Sequence, residues 1–99
     1  SKEDAKEFLK EYKEIYSSSD DRQQWFDKIK SLCPHLNFAA DTKEYKKNPE
    51  NYKGSAGDLS TVLRIAVTGR RNTPDLCSIM QVLGKEQSIK RIDEMINSL

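Results

Sequence analysis

Apolar residues recur at helical spacing along most of the chain. In residues 2–16, Ala5, Phe8, Leu9, Tyr12, Ile15 and Tyr16 form one stripe, and lysines and glutamates at i, i+4 fill the opposite side. The spacing predicts a helix with an ordinary solvated face. Residues 17–21, SSSDD, read as linker and cap. Asp21 and Gln24 have capping-box spacing and open a second helix over 22–33. There Trp25, Ile29 and Leu32 share a face, with Phe26 and Cys33 alongside, and Pro34 is expected to end the helix. Residues 37–40 read as an extended connector. Asp41 and Glu44 cap a short helix to about Lys47, which Asn48-Pro49 stops, and 51–55 reads as loop. No run in 37–57 alternates with the period of a strand.

The strongest pattern lies in 63–84, LRIAVTGRRNTPDLCSIMQVLG. Ser55 and Asp58 open a helix in which Leu59, Val62, Leu63 and Ala66 fall at i, i+3, i+4 and i+7, widened by Ile65 and Val67. Thr61, Arg64 and Thr68 project from the other side. Gly69 suits a left-handed closing position. After a polar corner, Thr73 suits an N-cap and Pro74 the first helical position. Leu76, Ile79, Met80 and Leu83 continue the apolar spacing up to Gly84. A last helix follows, with Ile89, Ile92, Ile96 and Leu99 as its core stripe and Met95 on the edge. The expectation is an all-α fold: a compact bundle of five to six short helices, one core, one domain over 1–99.

The corner is where chemistry concentrates. Free backbone N–H groups at a Thr73–Pro74 helix start favour anions or carbonyl acceptors. Arg64 precedes the corner by one turn, and Arg70 and Arg71 flank it. A guanidinium offers a planar fork of donors and a flat face for stacking. The residues alone leave two readings open. One is this binding corner; the other is a solvated or ion-paired arginine beside an ordinary helix start. The middle segment is locally basic, with Lys43, Lys46, Lys47 and Lys53 interleaved with Tyr45 and Tyr52. It suits RNA phosphates and a stacked base, or a solvated loop whose tyrosines pack on the core. Lys85, Lys90 and Arg91 crowd the start of the last helix, where the macrodipole prefers acids, a hint of an anionic partner.

Composition narrows the classes. The 99 residues carry 17 basic and 16 acidic side chains, for a net charge of +1. Most charges must therefore alternate over solvated faces, which argues against non-specific nucleic-acid binding as the main role. No segment approaches the ~20 apolar residues of a membrane helix, and no secretory signal is visible. Cys33 and Cys77 form no CxxC pair and read as buried thiols in a reducing cytoplasm. His35, the single histidine, reads as a loop residue without a companion ligand, so no metal site is expected. No glycine-rich phosphate loop, catalytic carboxylate pair or Cys/His dyad is present, so no catalytic residue is assigned. The chain opens at Ser1 already in a helical pattern and without methionine, as an excised domain would.

LRIAVTG, TPDL, IMQVLGKE and IKRID together resemble the C-terminal anticodon-binding domain of class I glutamyl-tRNA synthetases of bacterial type. The resemblance covers 63–99 well. EYKKNPENYKGSAGD at 44–58 is similar to a subset of bacterial members, and 1–40 matches only as helices. It implies that Arg64, Thr73, Pro74 and Leu76 approach the first two anticodon bases. Readout would be by hydrogen bonds, apolar contact and cation stacking. Arg70 and Arg71 lie in a variable insert and suit phosphate contacts, as do Lys46, Lys47 and Lys53. The whole enzyme would be a glutamate–tRNA ligase, activating glutamate with ATP and magnesium, its catalytic signatures upstream of Ser1. The fragment would hold no cofactor, catalyse nothing alone, and act as a cytoplasmic monomer on tRNA.

The alternatives are a class I lysyl or non-discriminating glutamyl enzyme, or a helical protein-interaction module with an apolar groove. A DNA-binding helix-turn-helix fits less well. Residues 68–73 exceed its usual turn, and Arg64 precedes the recognition helix.

Overall fold

Side-chain caps fix where the helices begin in the computed structural model, which describes residues 2–99. Helix α1 (Lys2–Ile15) carries Glu3 and Asp4 in its first turn, where the dipole favours them. Helix α2 (Arg22–Leu36) opens with a capping box: Gln24 N donates to Asp21 Oδ1 at 2.8 Å, and Asp21 N donates to Gln24 Oε1 at 3.0 Å. In α3 (Thr42–Lys47), Lys43 N donates to Asp41 Oδ1 at 2.9 Å. A 3-10 turn (Pro49–Asn51) follows, then α4 (Ala56–Thr68), where Ser55 N donates to Asp58 Oδ2 at 2.8 Å. Helix α5 (Leu76–Ser98) is kinked at Gly84. The all-α expectation holds. The 37–40 connector is extended only in part: Asn37 is left-handed, and one parallel bridge ties Ala39 to Ser55.

Three boundaries differ from the sequence reading. Helix α1 ends at Ile15, whose side chain is 37% exposed and lies outside the core stripe. Pro34 does not end α2. The helix continues to Leu36 and closes at Asn37, which is left-handed (φ 64°) and donates to the carbonyls of Cys33 and Pro34. Leu36 is buried, and full burial of a leucine is worth ~1.5–3 kcal/mol, the size of a proline's penalty inside a helix. His35 is consequently helical. The start of α5 lies beyond Thr73 and Pro74: Asp75 is the N-cap, and Ile79 N donates to Asp75 O at 3.1 Å. Gly84 does interrupt the helix, as its spacing suggests. With φ 82° and ψ 167° it is non-helical and ends the first arm of α5, and a second helical arm follows as expected.

The core gathers Phe8, Leu9 and Tyr12 of α1, Trp25, Ile29 and Cys33 of α2, Leu59 and Leu63 of α4, and Met80 and Ile92 of α5. Its polar atoms are satisfied internally. Tyr12 Oη donates to Trp25 O at 3.3 Å and Trp25 Nε1 to Met80 Sδ at 3.3 Å. Tyr16 Oη and Ser88 Oγ both donate to Met80 O at 3.4 Å. Burial pushes both tyrosine phenols up from their ordinary range, and raises the thiols of Cys33 and Cys77, which are free and buried as expected. Ser88 is fully buried, a position the polar character of serine hid from the sequence reading. Among the described residues no helix is long and apolar enough to cross a membrane.

Two stability predictions follow from this packing. Leu63 is fully buried, so Leu63→Ala should lower stability by ~2–5 kcal/mol in urea denaturation. Gly69 (φ 74°) and Gly84 (φ 82°) both have open space where a Cβ would stand, so alanine there tests the backbone alone. Gly69 sits near the left-handed helical region, where a side chain costs about 1 kcal/mol. Gly84 sits in a region that is essentially glycine's own, so Gly84→Ala should cost ~1–3 kcal/mol and exceed Gly69→Ala in the same titration.

Candidate nucleic-acid interface

Arg64 stands half-buried on the polar side of α4, and its Nε donates to Thr73 Oγ1 at 2.8 Å. Thr73 Oγ1 in turn donates to Pro74 O at 2.9 Å. Thr68 Oγ1 donates to Arg64 O at 2.7 Å and accepts from Arg70 N at 3.1 Å. The helix end, the loop and the start of α5 are thus stitched through Arg64 and two threonines. Among the described residues Arg64 has no ion-pair partner, so its charge is not neutralised by the domain. Arg64, Thr73 and Pro74 are brought together as the sequence reading required.

Leu76 is not part of that exposed group. It is 1% exposed, belongs to the core, and floors the cleft beside Arg64. The helix start also differs in character. Asp75 occupies it, with Arg22 in an ion pair with Asp75 Oδ2 and Ser78 Oγ donating to the same oxygen at 2.8 Å. A carboxylate therefore stands where free N–H groups were expected to attract anions. The Arg22 guanidinium, then the Ser78 hydroxyl, hold the Asp75 carboxyl below the usual carboxylate range.

Two recesses meet at Asp75. On one side a cleft of about 500 Å³ runs between α2 and α4, walled by Arg22, Gln23 and Phe26 and by Ser60 and Arg64. On the other side lies an apolar shelf of about 310 Å³ formed by Pro74, Ile79, Val82 and Leu83, where Val82 is 87% exposed. The α2 wall was not anticipated, because Arg22 and Gln23 lie more than forty residues from Arg64 and carry no local signal.

The remaining basic candidates divide. Arg70 and Arg71 are exposed on the loop, and Lys46 and Lys47 are exposed in the last turn of α3. Lys53, exposed as well, is an ion-pair partner of Asp4 at 2.9 Å, tying the middle segment to α1. Tyr45 and Tyr52 are half-buried. Arg91 Nη1 donates to Val67 O at 2.8 Å, capping α4, which gives the basic start of the last helical arm an internal role. His35 does have companions: its Nε2 lies 3.3 Å from Glu11 Oε1, and Glu7 completes the group within 4.8 Å. His35 and Glu7 are exposed, so the group is an open surface cluster and not the closed ligand set of a structural zinc.

Triphosphate sites use bare N–H groups at helix starts. At the starts of α2 and α3, Asp21 and Asp41 accept from those donors; Asp58 accepts from Ser55 N before α4, and Asp75 at the start of α5 is held by Arg22 and Ser78.

These features define a helical domain with a guanidinium-edged cleft suited to unpaired bases. The chain belongs to the anticodon binding domain family, which it matches over residues 1–96. It is similar to a glutamate–tRNA ligase of Acetivibrio thermocellus, 49% identical over 95% of this chain and 17% of that protein. It is also similar to glutamate–tRNA ligases of Clostridium perfringens strain 13, 43% identical over 91% of the chain and 16% of the relative, and Clostridium beijerinckii, 38% identical over 96% and 17%. The chain thus spans about a sixth of the length of the curated relatives it matches. No solved structure matches it.

The Arg22–Asp75 pair gives a titration test. Because the folded value of Asp75 is depressed, its stabilising contribution is fully present above the unfolded value of about 4 and is lost as pH falls through the folded value. Carboxyl NMR should place the Asp75 midpoint below that of an unpaired aspartate, and Arg22→Ala should move it upward. An unmoved midpoint would contradict the pair.

Proposed function

We propose that this chain is the tRNA-anticodon-binding portion of a glutamate–tRNA ligase. The observation that carries the reading is an un-neutralised guanidinium, Arg64, fixed by Thr73 at the rim of an open cleft in a member of the anticodon-binding family. Unstacked loop bases would enter beside Arg64 and Pro74, read by hydrogen bonds, apolar contact and stacking. Arg70, Arg71, Lys46 and Lys47 would hold phosphates and set register. The domain contributes binding energy and orientation, placing the tRNA so that its acceptor end reaches a distant catalytic site. Activation of glutamate with ATP and magnesium, and its transfer, belong to the rest of such a cytoplasmic ligase. We assign this chain no catalytic residue and a monomeric state.

Arg64→Ala should weaken binding of a glutamate tRNA anticodon stem-loop by ~1–3 kcal/mol, with unchanged circular dichroism. Wild-type binding should also fall as salt rises. Unchanged affinity in the folded variant would remove Arg64 from the reading. The apolar shelf around Val82 supports a second reading, a protein-interaction module, and a flat salt response would favour it. A panel of glutamate, glutamine and lysine tRNAs separates the related synthetase types.

A further inference from the structure

The cleft beside Arg64 has two walls, and only one belongs to the α4–α5 corner. The other is the first turn of α2. Its volume of about 500 Å³ falls within the ~300–1,000 Å³ usual for small-ligand sites. The Phe26 ring already has neighbours, Lys30 Nζ 5.5 Å from its centroid and Trp25 at 6.3 Å. The planar groups left to sandwich a ring are the guanidiniums of Arg22 and Arg64.

Arg22 is well placed to move. Its side chain is 75% exposed, and its partner Asp75 keeps the Ser78 hydroxyl when Arg22 leaves. Exposed ion pairs are weak enough to be traded for a ligand contact. Gln23 Nε2 donates to Asp27 Oδ1 at 2.9 Å, and among the described residues Gln23 Oε1 has no partner. An amide with a spare acceptor matches the N–H edge of a base.

We propose that the first turn of α2 is the second reading wall of this cleft. Arg22 stacks on one unstacked anticodon-loop base, Gln23 Oε1 accepts a hydrogen bond from that base's edge, and Arg64 meets its other face. The proposal rests on the anticodon-binding reading and extends it to residues outside the corner. The shelf across Asp75 is a separate recess that shares Asp75 with the cleft.

The test measures binding of the fluorescent anticodon stem-loop to the 99-residue chain by anisotropy. Arg22→Gln and Gln23→Ala should each weaken binding about tenfold. Ser60→Trp, which fills the cleft from the α4 side, should weaken it further. Ser31→Ala, on an exposed part of α2 outside the cleft, should change nothing. Thermal melts check that each variant is folded, and Gln23 is exposed, so its removal leaves the core intact. Stem-loops with an abasic nucleotide at each anticodon position supply the decisive readout: one of them should erase the effect of Gln23→Ala. If Arg64→Ala weakens binding while Arg22→Gln and Gln23→Ala bind as wild type, the α2 wall is refuted and the anticodon reading stands. If the Gln23→Ala effect survives every abasic substitution, the contact is to the backbone and base reading is refuted. If the wild-type chain binds no RNA, both fall.

Discussion

Met80 is where the long elements of this domain are locked together. Its sulfur accepts the Trp25 indole of α2, and its carbonyl accepts hydroxyls from Tyr16, just past α1, and from Ser88, in the second arm of α5. On a straight helix, Ser88 would stand about 12 Å along the axis from Met80. Its approach to 3.4 Å therefore requires the chain to fold back at Gly84. The glycine conformation, the buried serine and the satisfied carbonyl are one constraint seen three ways. That constraint reaches the surface. Trp25, fixed on Met80, also borders the cleft, and Arg22 lies one turn away on the same side of α2. The packing at the centre thus sets the wall at the rim.

The sequence showed most clearly what is decided locally. The capping boxes at Asp21 and Ser55, the cap at Asp41 and the left-handed Gly69 all depend on residues within one turn, and the structure has each where its spacing places it. Misreadings arose where distant packing outweighs a local signal. Pro34 is a strong stop, but burial of Leu36 and the cap at Asn37 carry α2 past it. Thr73 and Pro74 are a good helix start in isolation. Thr73 is held instead by Arg64, and Asp75 takes the cap with Arg22 across the domain as its partner. Leu76 fell on both the core stripe and the expected contact set, and only burial decides between those. The α2 wall had no signal, because a cleft between two helices is not written in either one.

The near-zero net charge also resolves once pairs are placed. Lys13 joins Asp93, Lys28 joins Asp20, Lys53 joins Asp4, and Arg22 joins Asp75. Arg91 is spent on the Val67 carbonyl. These contacts hold segments far apart in sequence. Among the described residues, Arg64, Arg70, Arg71, Lys46 and Lys47 carry no such ion pair. The balanced composition therefore includes a set of cross-domain pairs, and the cations at the corner and in α3 lie outside it.

The aspartates at helix starts sharpen what those cations do. A bare helix N-terminus draws any phosphate, whatever the base attached to it. Here Asp21, Asp41 and Asp58 accept backbone N–H groups at the starts of α2 to α4, and Asp75 stands at the start of α5. A polyanion is turned away from those starts and left to the flexible Arg and Lys side chains, which hold it without fixing one phosphate position. The rigid donors that remain lie in the cleft, where Arg64 is braced by Thr73. On the proposed reading, geometry is strict where a base would enter and loose where the backbone would run. That division favours selection by sequence over retention by charge, and it needs no large net charge to work.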